Sequence, residues 1–421
     1  MADFEERRLP VGIQSFKEIR RNNYAYVDKT EIVWNLVNRG KKYNYLSRPR
    51  RFGKSLLVDT LQTYFEGRSD LFEGLKIMNL EKEWKKSPVI RLDMSRAGAS
   101  EKTIRSYLSM AFSREEAKYG ITMQEGASLA DRFDTIIQTA CQQTGESVAI
   151  LIDEYDSPLQ HSWKTPDHEA CTAVYREVFA ILKADDEYER FVFITGITKF
   201  TQISLFSVVL NNLSNISFDE PFAAICGITT QEITDYFGPE VKAMGEENGW
   251  TEEETMVRLK TNYDGYRFCR SNMVDVYNPF SLVNALTDKD IKNYWATSGA
   301  TSLLLKFVDD MEIKLTDYDH SAILSTIIET SDVTGGGAEL FLYQSGYLTI
   351  KGYMNGLYLL GFPNHEVRQA LYETVLPALA MRKRGDIQSA QDKRKVIALA
   401  VELDDQGKGL VDWKQVGVTE Q

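Results

Sequence analysis

The sequence predicts an α/β fold built on a parallel β-sheet. Over roughly the first two hundred of its 421 residues, short β-rich runs alternate with longer amphipathic helical patterns. Such alternation implies parallel strands joined by right-handed crossovers. Two motifs point to a site on that sheet: a Gly-Lys-Ser tripeptide at 53–55 and an apolar run that ends in Asp153-Glu154.

Five runs are predicted as strands of this sheet and four segments between them as helices. The strands are 43–46, 88–94, 148–152, 191–195 and a fifth at 222–226; the helices are 54–66, 101–118, 129–143 and 169–182. The helices are predicted from apolar residues that recur every three or four positions. The continuously apolar run at 148–152 is typical of a strand buried on both faces.

Composition and charge disfavour several classes of protein. The chain is 43% hydrophobic and 26% charged, with a formal net charge of −12, and an acidic surface repels nucleic acid and anionic lipid. Its 4 cysteines and 4 histidines show no metal-ligand spacing and predict no disulfide framework, which fits a reduced cytoplasmic setting. The charged start lacks a signal core, and no apolar run is long enough to predict a membrane span.

The segment 48–55, Arg-Pro-Arg-Arg-Phe-Gly-Lys-Ser, follows a predicted strand and opens a predicted helix. A P-loop requires that context, because backbone N–H groups and a helix N-terminus concentrate positive potential on an anion. Lys54 is predicted to reach the β- and γ-phosphates and Ser55 to ligate Mg²⁺. The predicted nucleotide-binding residues are Arg50, Arg51, Phe52, Gly53, Lys54, Ser55 and Leu56.

The entry to this loop departs from the usual P-loop pattern. Arg48 stands where the first glycine is expected, and Pro49 has no N–H to donate. The later amides must therefore bind the phosphates, with Arg48, Arg50 and Arg51 adding positive charge beside them. Since Gly-Lys-Ser also occurs by chance at helix starts, the site needs a second observation.

The run VAILIDE (148–154) supplies that observation. A buried strand ends in two carboxylates at the edge where open α/β sheets bind ligands. Asp153 is predicted to hold Mg²⁺, directly or through water, and Glu154 to orient or deprotonate the attacking water. The pairing is typical of additional-strand ATPases, which include AAA+ proteins; a strand that merely ends in solvated acids is the alternative. Asp156 is expected to cap the following turn, with contact to the metal shell as the alternative.

A polar sensor residue near the γ-phosphate is expected at the end of the next buried strand, in Thr195-Gly196-Ile197-Thr198. Thr195 is the first candidate and Thr198 the second. Alternatively, both hydroxyls satisfy backbone groups of the loop. Arg190 and Lys199 are candidates for a charge-stabilising finger, although surface charge is the favoured explanation of both, and the sequence does not identify the finger residue.

Seven segments of the chain form a recognisable set. They are LPVGIQSFKEIRRNNYAYVDKT (9–30), LSRPRRFGKSLLVDTL (46–61), ILIDEYDSP (150–158), FITGITKF (193–200), NYDGYRF (262–268), VYNPFSL (276–282) and NYWATSG (293–299). Together they resemble the bacterial AAA-ATPase-like family, whose members often carry a C-terminal nuclease-like domain of the PD-(D/E)XK type. The resemblance implies an AAA+-like P-loop ATPase domain at 1–227, a helical lid at 228–300, a winged-helix-like segment at 301–375 and a truncated nuclease-like remnant at 376–421. The segments 13–16 and 26–28 are expected either to clasp adenine or to pack as core.

The C-terminal third of the chain carries a hairpin signal but no nuclease signal. Two β-rich runs flank Asn355-Gly356, which favours a two-residue hairpin turn. No E-x-K sequence follows residue 377, so nuclease activity is not expected. Between Asp309 and Arg368 stand nine acidic and three basic residues, a balance that disfavours a DNA-binding face.

The sequence thus predicts an ATP-binding AAA-type ATPase that hydrolyses ATP with Mg²⁺ to drive or gate a conformational change. Lys54 and Glu154 are its predicted catalytic residues. Two alternatives stay open: a nucleotide-gated switch with little turnover, and an ATP-dependent DNA-processing factor. An unidentified protein partner and assembly into a homo-oligomer are further expectations.

Overall fold

The computed structural model describes residues 7–198, 213–271, 274–295, 321–330, 337–371 and 373. By these residues the chain divides into two compact units, Met1–Gly227 with Thr326–Gly335 and Ile228–Ser325 with Gly336–Gln421. The predicted remnant at 376–421 lies outside the described residues, and the finer division at 228–300 and 301–375 stays a prediction. In the described ranges, no helix has the length and apolar character needed to cross a membrane.

The first unit is built on a five-stranded parallel sheet, which confirms the α/β fold class. Its strands are β1 (Tyr43–Ser47), β2 (Val89–Asp93), β3 (Val148–Asp153), β4 (Glu189–Gly196) and β5 (Ser214–Asn215). They lie in the order β2-β3-β4-β1-β5, and every pairing is parallel. A strand, β4, therefore separates β1 from β3, as expected of an additional-strand ATPase.

Helices connect these strands, and three of those in the described residues begin after a serine whose side chain caps the first turn. The helices are α1 (Phe16–Arg21), α2 (Thr30–Arg39), α3 (Lys54–Phe65), α4 (Glu101–Tyr119), α5 (Leu129–Thr144), α6 (Ser157–Ser162), α7 (His168–Phe179) and α8 (Ile181–Ala184). Ser100 and Ser128 open α4 and α5 with capping boxes, which satisfy two orphan donors at each helix start. The predicted helix at 169–182 is wrong in one respect, because α7 ends at Phe179 and a separate short helix follows.

The predicted strand at 222–226 is wrong. Phe222 closes a short 3₁₀ turn, and the fifth strand is instead Ser214–Asn215, which pairs with β1. Phe222 and Ile225 are buried all the same. A short apolar run shows burial but does not distinguish a strand from a buried turn.

The second unit combines helices with a three-stranded antiparallel sheet. Its helices are α9 (Thr230–Asn248), α10 (Glu252–Tyr263), α11 (Pro279–Asp288) and α13 (Gly337–Ser345). Helix α12 (Ser325–Thr330) belongs, apart from its first residue, to the first unit. Strands β6 (Ala322–Leu324), β7 (Thr349–Met354) and β8 (Leu357–Gly361) lie in the order β6-β8-β7. The predicted hairpin is confirmed: Asn355 and Gly356 join β7 to β8 with φ of +52° and +81°, which a two-residue I′ turn requires.

Candidate functional site

The segment between β1 and α3 turns through two left-handed residues. Arg51 and Gly53 have φ of +67° and +86°. A Cβ on Gly53 would meet nothing within 4 Å, so the backbone conformation, and not lack of space, favours glycine there. The turn brings the N-terminus of α3 to the carboxyl end of β1, where its free N–H groups can bind an anion.

The Lys54 ammonium group connects this loop to the end of β3. Its side chain is 3% exposed, and its Nζ lies 3.5 Å from Glu154 Oε1. The same nitrogen donates to the carbonyl oxygens of Arg48 and Pro49, both at 3.1 Å. The structure therefore brings the two predicted catalytic residues together.

Asp153 ends β3 beside Ser55 and is almost fully buried. Burial, followed by the charge of Glu154, raises the pKa of Asp153 to about 6, although a Ser55 hydrogen bond and the Lys54 charge act in the opposite direction. Within the described part of the chain, Asp153 Oδ1 is buried with no hydrogen-bond partner. An orphaned carboxylate oxygen beside a hydroxyl is a set of hard oxygen donors that fits Mg²⁺.

Glu154 differs from its neighbour in both exposure and backbone conformation. Its side chain is 27% exposed, so its carboxylate stays accessible to water. Its φ is +49°, in the left-handed region that costs a non-glycine residue about 1–2 kcal/mol. Strained conformations of this kind are concentrated at functional sites.

The two candidate sensor threonines lie at the end of β4 with their hydroxyls hydrogen-bonded inside the protein. Thr195 Oγ1 donates to the Leu46 carbonyl at 2.9 Å. Thr198 Oγ1 donates to Asp156 Oδ2 at 2.7 Å. The Thr195 contact agrees with the alternative in which the hydroxyls satisfy backbone groups, whereas the Thr198 hydroxyl binds a side chain. The sensor role of both residues stays a prediction.

Arg48 is turned towards the protein interior. It is 1% exposed, and its guanidinium donates to the carbonyls of Ser47, Ser217 and Phe222 at 2.8, 3.0 and 3.0 Å. Its guanidinium thus binds the end of β1 and the segment 217–222. A contribution of its charge beside the phosphates stays a prediction. Arg50 is half-buried and Arg51 exposed.

Two acidic residues near the site are absent from the predicted set. Asp93 lies opposite Asp153 in the register of β2 and β3, and its charge helps to raise the pKa of Asp153. Its position near the end of the predicted strand 88–94 is the feature of the sequence that could have indicated it. Asp156, expected in a turn, does not cap α6 with its side chain; its carboxylate reaches the end of β4 instead.

The aromatic N-terminal segment packs as core. The ring of Phe16 lies 5.1 Å from that of Tyr26 and 4.8 Å from that of Phe72. Asp28 accepts hydrogen bonds from the backbone N–H of Thr30 and of Lys76, at 2.9 and 2.7 Å. A role of this segment in binding adenine stays a prediction.

Two comparisons with known proteins bear on the family of this chain. The family model described as predicted AAA-ATPase matches residues 10–206. A protein of Azotobacter chroococcum mcd 1, described as an uncharacterized protein in the vnfD 5′ region, is 30% identical over 395 residues, which cover 90% of this chain and 73% of that protein. This chain belongs to the predicted AAA-ATPase family. Membership supports a nucleotide-binding ATPase of the P-loop class, and the matched region contains both the Lys54 loop and the Asp153-Glu154 pair.

Among solved structures, the chain is similar to the ORC2 protein of Aeropyrum pernix in its ADPNP–ADP complexes. The match covers 87% of this chain and 93% of the ORC2 chain, with 13% sequence identity and a TM-score of 0.29. A likeness at this score carries no argument about the site of this family member.

Proposed function

We propose that this family member is an ATPase that binds ATP with Mg²⁺, hydrolyses it and uses the cycle to drive or gate a conformational change. The observation that supports this most strongly is the 3.5 Å distance between Lys54 Nζ and Glu154 Oε1. The two residues are 100 positions apart in the sequence. They meet at the carboxyl edge of a parallel sheet, where open α/β folds bind their ligands.

The loop residues would bind the phosphates of ATP. Backbone N–H groups from Arg50 to Leu56 and the N-terminus of α3 supply positive potential. Lys54 would exchange its carbonyl and carboxylate partners for oxygens of the β- and γ-phosphates. The same exchange frees the Glu154 carboxylate from the ammonium group.

The residues at the end of β3 would assist the hydrolytic step. Ser55 and Asp153 would hold Mg²⁺, which, when bound, neutralises charge on the phosphate oxygens. Glu154 would accept a proton from the attacking water while the water oxygen bonds to the γ-phosphorus. The bond from that phosphorus to the β-phosphate oxygen then breaks, and ADP and phosphate leave.

A Glu154→Gln variant tests this assignment, because glutamine keeps the size of the side chain and removes the basic carboxylate. Phosphate release should fall at least about 100-fold, since a positioned base contributes about 10²–10⁴ in rate. Affinity for ATP with Mg²⁺, measured by calorimetry, should stay within about threefold, because uniform binding does not depend on the base. Phosphate release by this variant at the wild-type rate rules the assignment out.

The partners of Lys54 also support a second candidate function, a nucleotide-gated switch with little turnover. Its ammonium group contacts Glu154 and two loop carbonyls, so ATP would change the partners of both residues without hydrolysis. Tight ATP binding together with phosphate release near the uncatalysed rate would favour the switch over the ATPase.

A further inference from the structure

The Asp156 carboxylate gathers four donors from two segments of the chain. Asp156 is fully buried, and its Oδ2 accepts from the backbone N–H of Ile197 at 3.0 Å and of Thr198 at 2.6 Å. The Thr198 hydroxyl donates to the same oxygen at 2.7 Å, and Gln160 Nε2 is the fourth donor. One side chain therefore fixes the position of the backbone just beyond β4.

The carbonyl oxygen of Thr198 is held by two tyrosine hydroxyls. It accepts from the hydroxyls of Tyr45 and Tyr155, at 3.1 and 2.9 Å. The carbonyl of Tyr155 accepts in turn from the Tyr175 hydroxyl at 2.6 Å. Tyr45 belongs to β1, so the segment after β4 is tied both to the strand that leads into the loop and to the residue that follows Glu154.

Gly196 shows how closely these segments approach each other. A Cβ at this position would overlap the Asp156 carboxylate and would come within 2.8 Å of Tyr155 Cδ1. The Gly196 carbonyl also accepts from the Arg48 backbone N–H at 3.3 Å. The end of β4 therefore lies in direct contact with both the entry of the Lys54 loop and the residues after Glu154.

A buried carboxylate can serve stability alone, but the backbone conformation of Glu154 indicates that Asp156 also constrains the position of the proposed base. Glu154 holds a strained φ of +49°, and strain of this kind persists only where the surroundings enforce it. The next two residues supply that constraint: the Tyr155 N–H donates to the Thr195 carbonyl at 3.0 Å, and Asp156 accepts from the two amides beyond Gly196.

We propose that Asp156 is a positioning residue for hydrolysis. It fixes the peptide after Glu154 against the end of β4 and so holds the Glu154 carboxylate at the required distance from the loop that binds the phosphates. This role rests on the proposed ATPase function. A base that is misplaced by about 1 Å loses much of its effect while substrate still binds.

The test is Asp156→Asn, which keeps the shape of the side chain but replaces one acceptor oxygen with an NH₂ group and removes the charge. The kcat for phosphate release should fall about 30-fold or more, whereas the Kd for ATP with Mg²⁺, measured by calorimetry, should change by less than about threefold. Without nucleotide, hydrogen exchange at the Ile197 and Thr198 amides should accelerate, because their shared acceptor is weakened.

Glu189→Gln is the matched control. Glu189 is a buried carboxylate at the opposite end of the same strand, β4, and is 4% exposed. This variant should keep kcat within about twofold, because the Glu189 hydrogen bond goes to Tyr43 and not to residues near Glu154. Loss of a buried carboxyl group by itself is then separated from loss of positioning.

The outcomes separate the two proposals. Wild-type protein without turnover overturns the proposed ATPase and this role with it. Wild-type turnover that survives unchanged in Asp156→Asn overturns the positioning role alone. Equal losses of kcat and ATP affinity, together with a lower Tm, show a structural role and overturn it as well. If Asp156→Asn does not fold, Gln160→Met removes one donor to Asp156; it should lower kcat about threefold to tenfold at constant Kd, and an unchanged kcat overturns the role.

Discussion

The Lys54 ammonium group lies 3.5 Å from the Glu154 carboxylate, with the lysine side chain buried and the glutamate side chain partly exposed. Two loop carbonyls complete the surroundings of the ammonium group. All three contacts are acceptor oxygens, which is the chemistry that phosphate oxygens also offer. ATP binding would therefore change the partners of both residues in one event and would link nucleotide occupancy to the position of the proposed base.

Replacing Lys54 with alanine should weaken ATP binding about 100-fold or more. Hydrogen bonds to charged groups are worth about 1.5–3 kcal/mol each, and each 1.4 kcal/mol changes an affinity about tenfold. Calorimetric titration with ATP and Mg²⁺ measures the effect. The control is Lys118→Ala, which removes a lysine from the surface of α4 and should leave the Kd unchanged. Wild-type affinity in Lys54→Ala would remove Lys54 from the phosphate site.

Replacing Gly53 with alanine should lower both stability and ATP affinity. The φ of +86° is costly for alanine, so the free energy of unfolding should fall by about 1 kcal/mol, and relaxation of the turn would displace the amides at the start of α3. Gly120→Ala is a matched control, because Gly120 ends α4 with φ of +64° and also has free space around it.

Urea denaturation should show a similar loss of stability in both glycine variants, whereas calorimetry should show weaker ATP binding only in Gly53→Ala. Equal ATP affinity in the two variants would mean that the conformation of Gly53 does not shape the phosphate site.

Local sequence patterns were sufficient to predict most of the sheet and the two halves of the candidate site. The apolar run at 148–152 predicted β3 to within one residue, because a strand buried on both faces leaves an unbroken local signal. The Asn355-Gly356 turn was equally readable, since few residues adopt positive φ at two successive positions. Gly53-Lys54-Ser55 and Asp153-Glu154 were predicted to meet because parallel strands end at the same edge of a sheet.

Features set by distant contacts could not be read from the sequence. Arg48 and Arg51 look alike in Arg-Pro-Arg-Arg, yet only Arg48 is buried, because its carbonyl partners are about 170 positions away. The positive φ of Glu154 could not be predicted, because the sequence has no glycine at that position. Asp156 precedes Ser-Pro, a sequence typical of turns, but its carboxylate accepts from the backbone N–H groups of Ile197 and Thr198 just beyond β4.

Replacing Arg48 with alanine should destabilise the protein by about 3 kcal/mol or more. The Ser217 and Phe222 carbonyls would lose their donor, and each unsatisfied buried acceptor costs about 1–3 kcal/mol. Urea denaturation monitored by circular dichroism measures this loss. Arg114→Ala, on the exposed surface of α4, should stay within about 0.5 kcal/mol of wild type. If Arg48→Ala loses ATP affinity but no stability, the guanidinium acts at the phosphates and not on these carbonyls.

The Glu189 carboxyl group should make stability fall as pH rises from about 5 to 8. Chiefly through burial, and also through the charges of Asp185 and Asp186, the pKa of Glu189 is raised from 4.5 to about 8. Because the folded state holds this proton more tightly than the unfolded state, the contribution to stability is complete below about pH 4.5 and is lost as pH passes through 8.

Glu189→Gln cannot titrate at this position and can still accept from the Tyr43 hydroxyl, which contacts the wild-type carboxylate at 2.6 Å. Its free energy of unfolding relative to wild type should therefore rise by about 2–4 kcal/mol between pH 5 and 8, because each unit of pKa difference between the folded and unfolded states is worth about 1.4 kcal/mol. Urea denaturation at a series of pH values measures this difference. Glu125→Gln, at an exposed position, should run parallel to wild type. Parallel curves for Glu189→Gln and wild type would mean that Glu189 is already ionised at pH 5 in the folded protein.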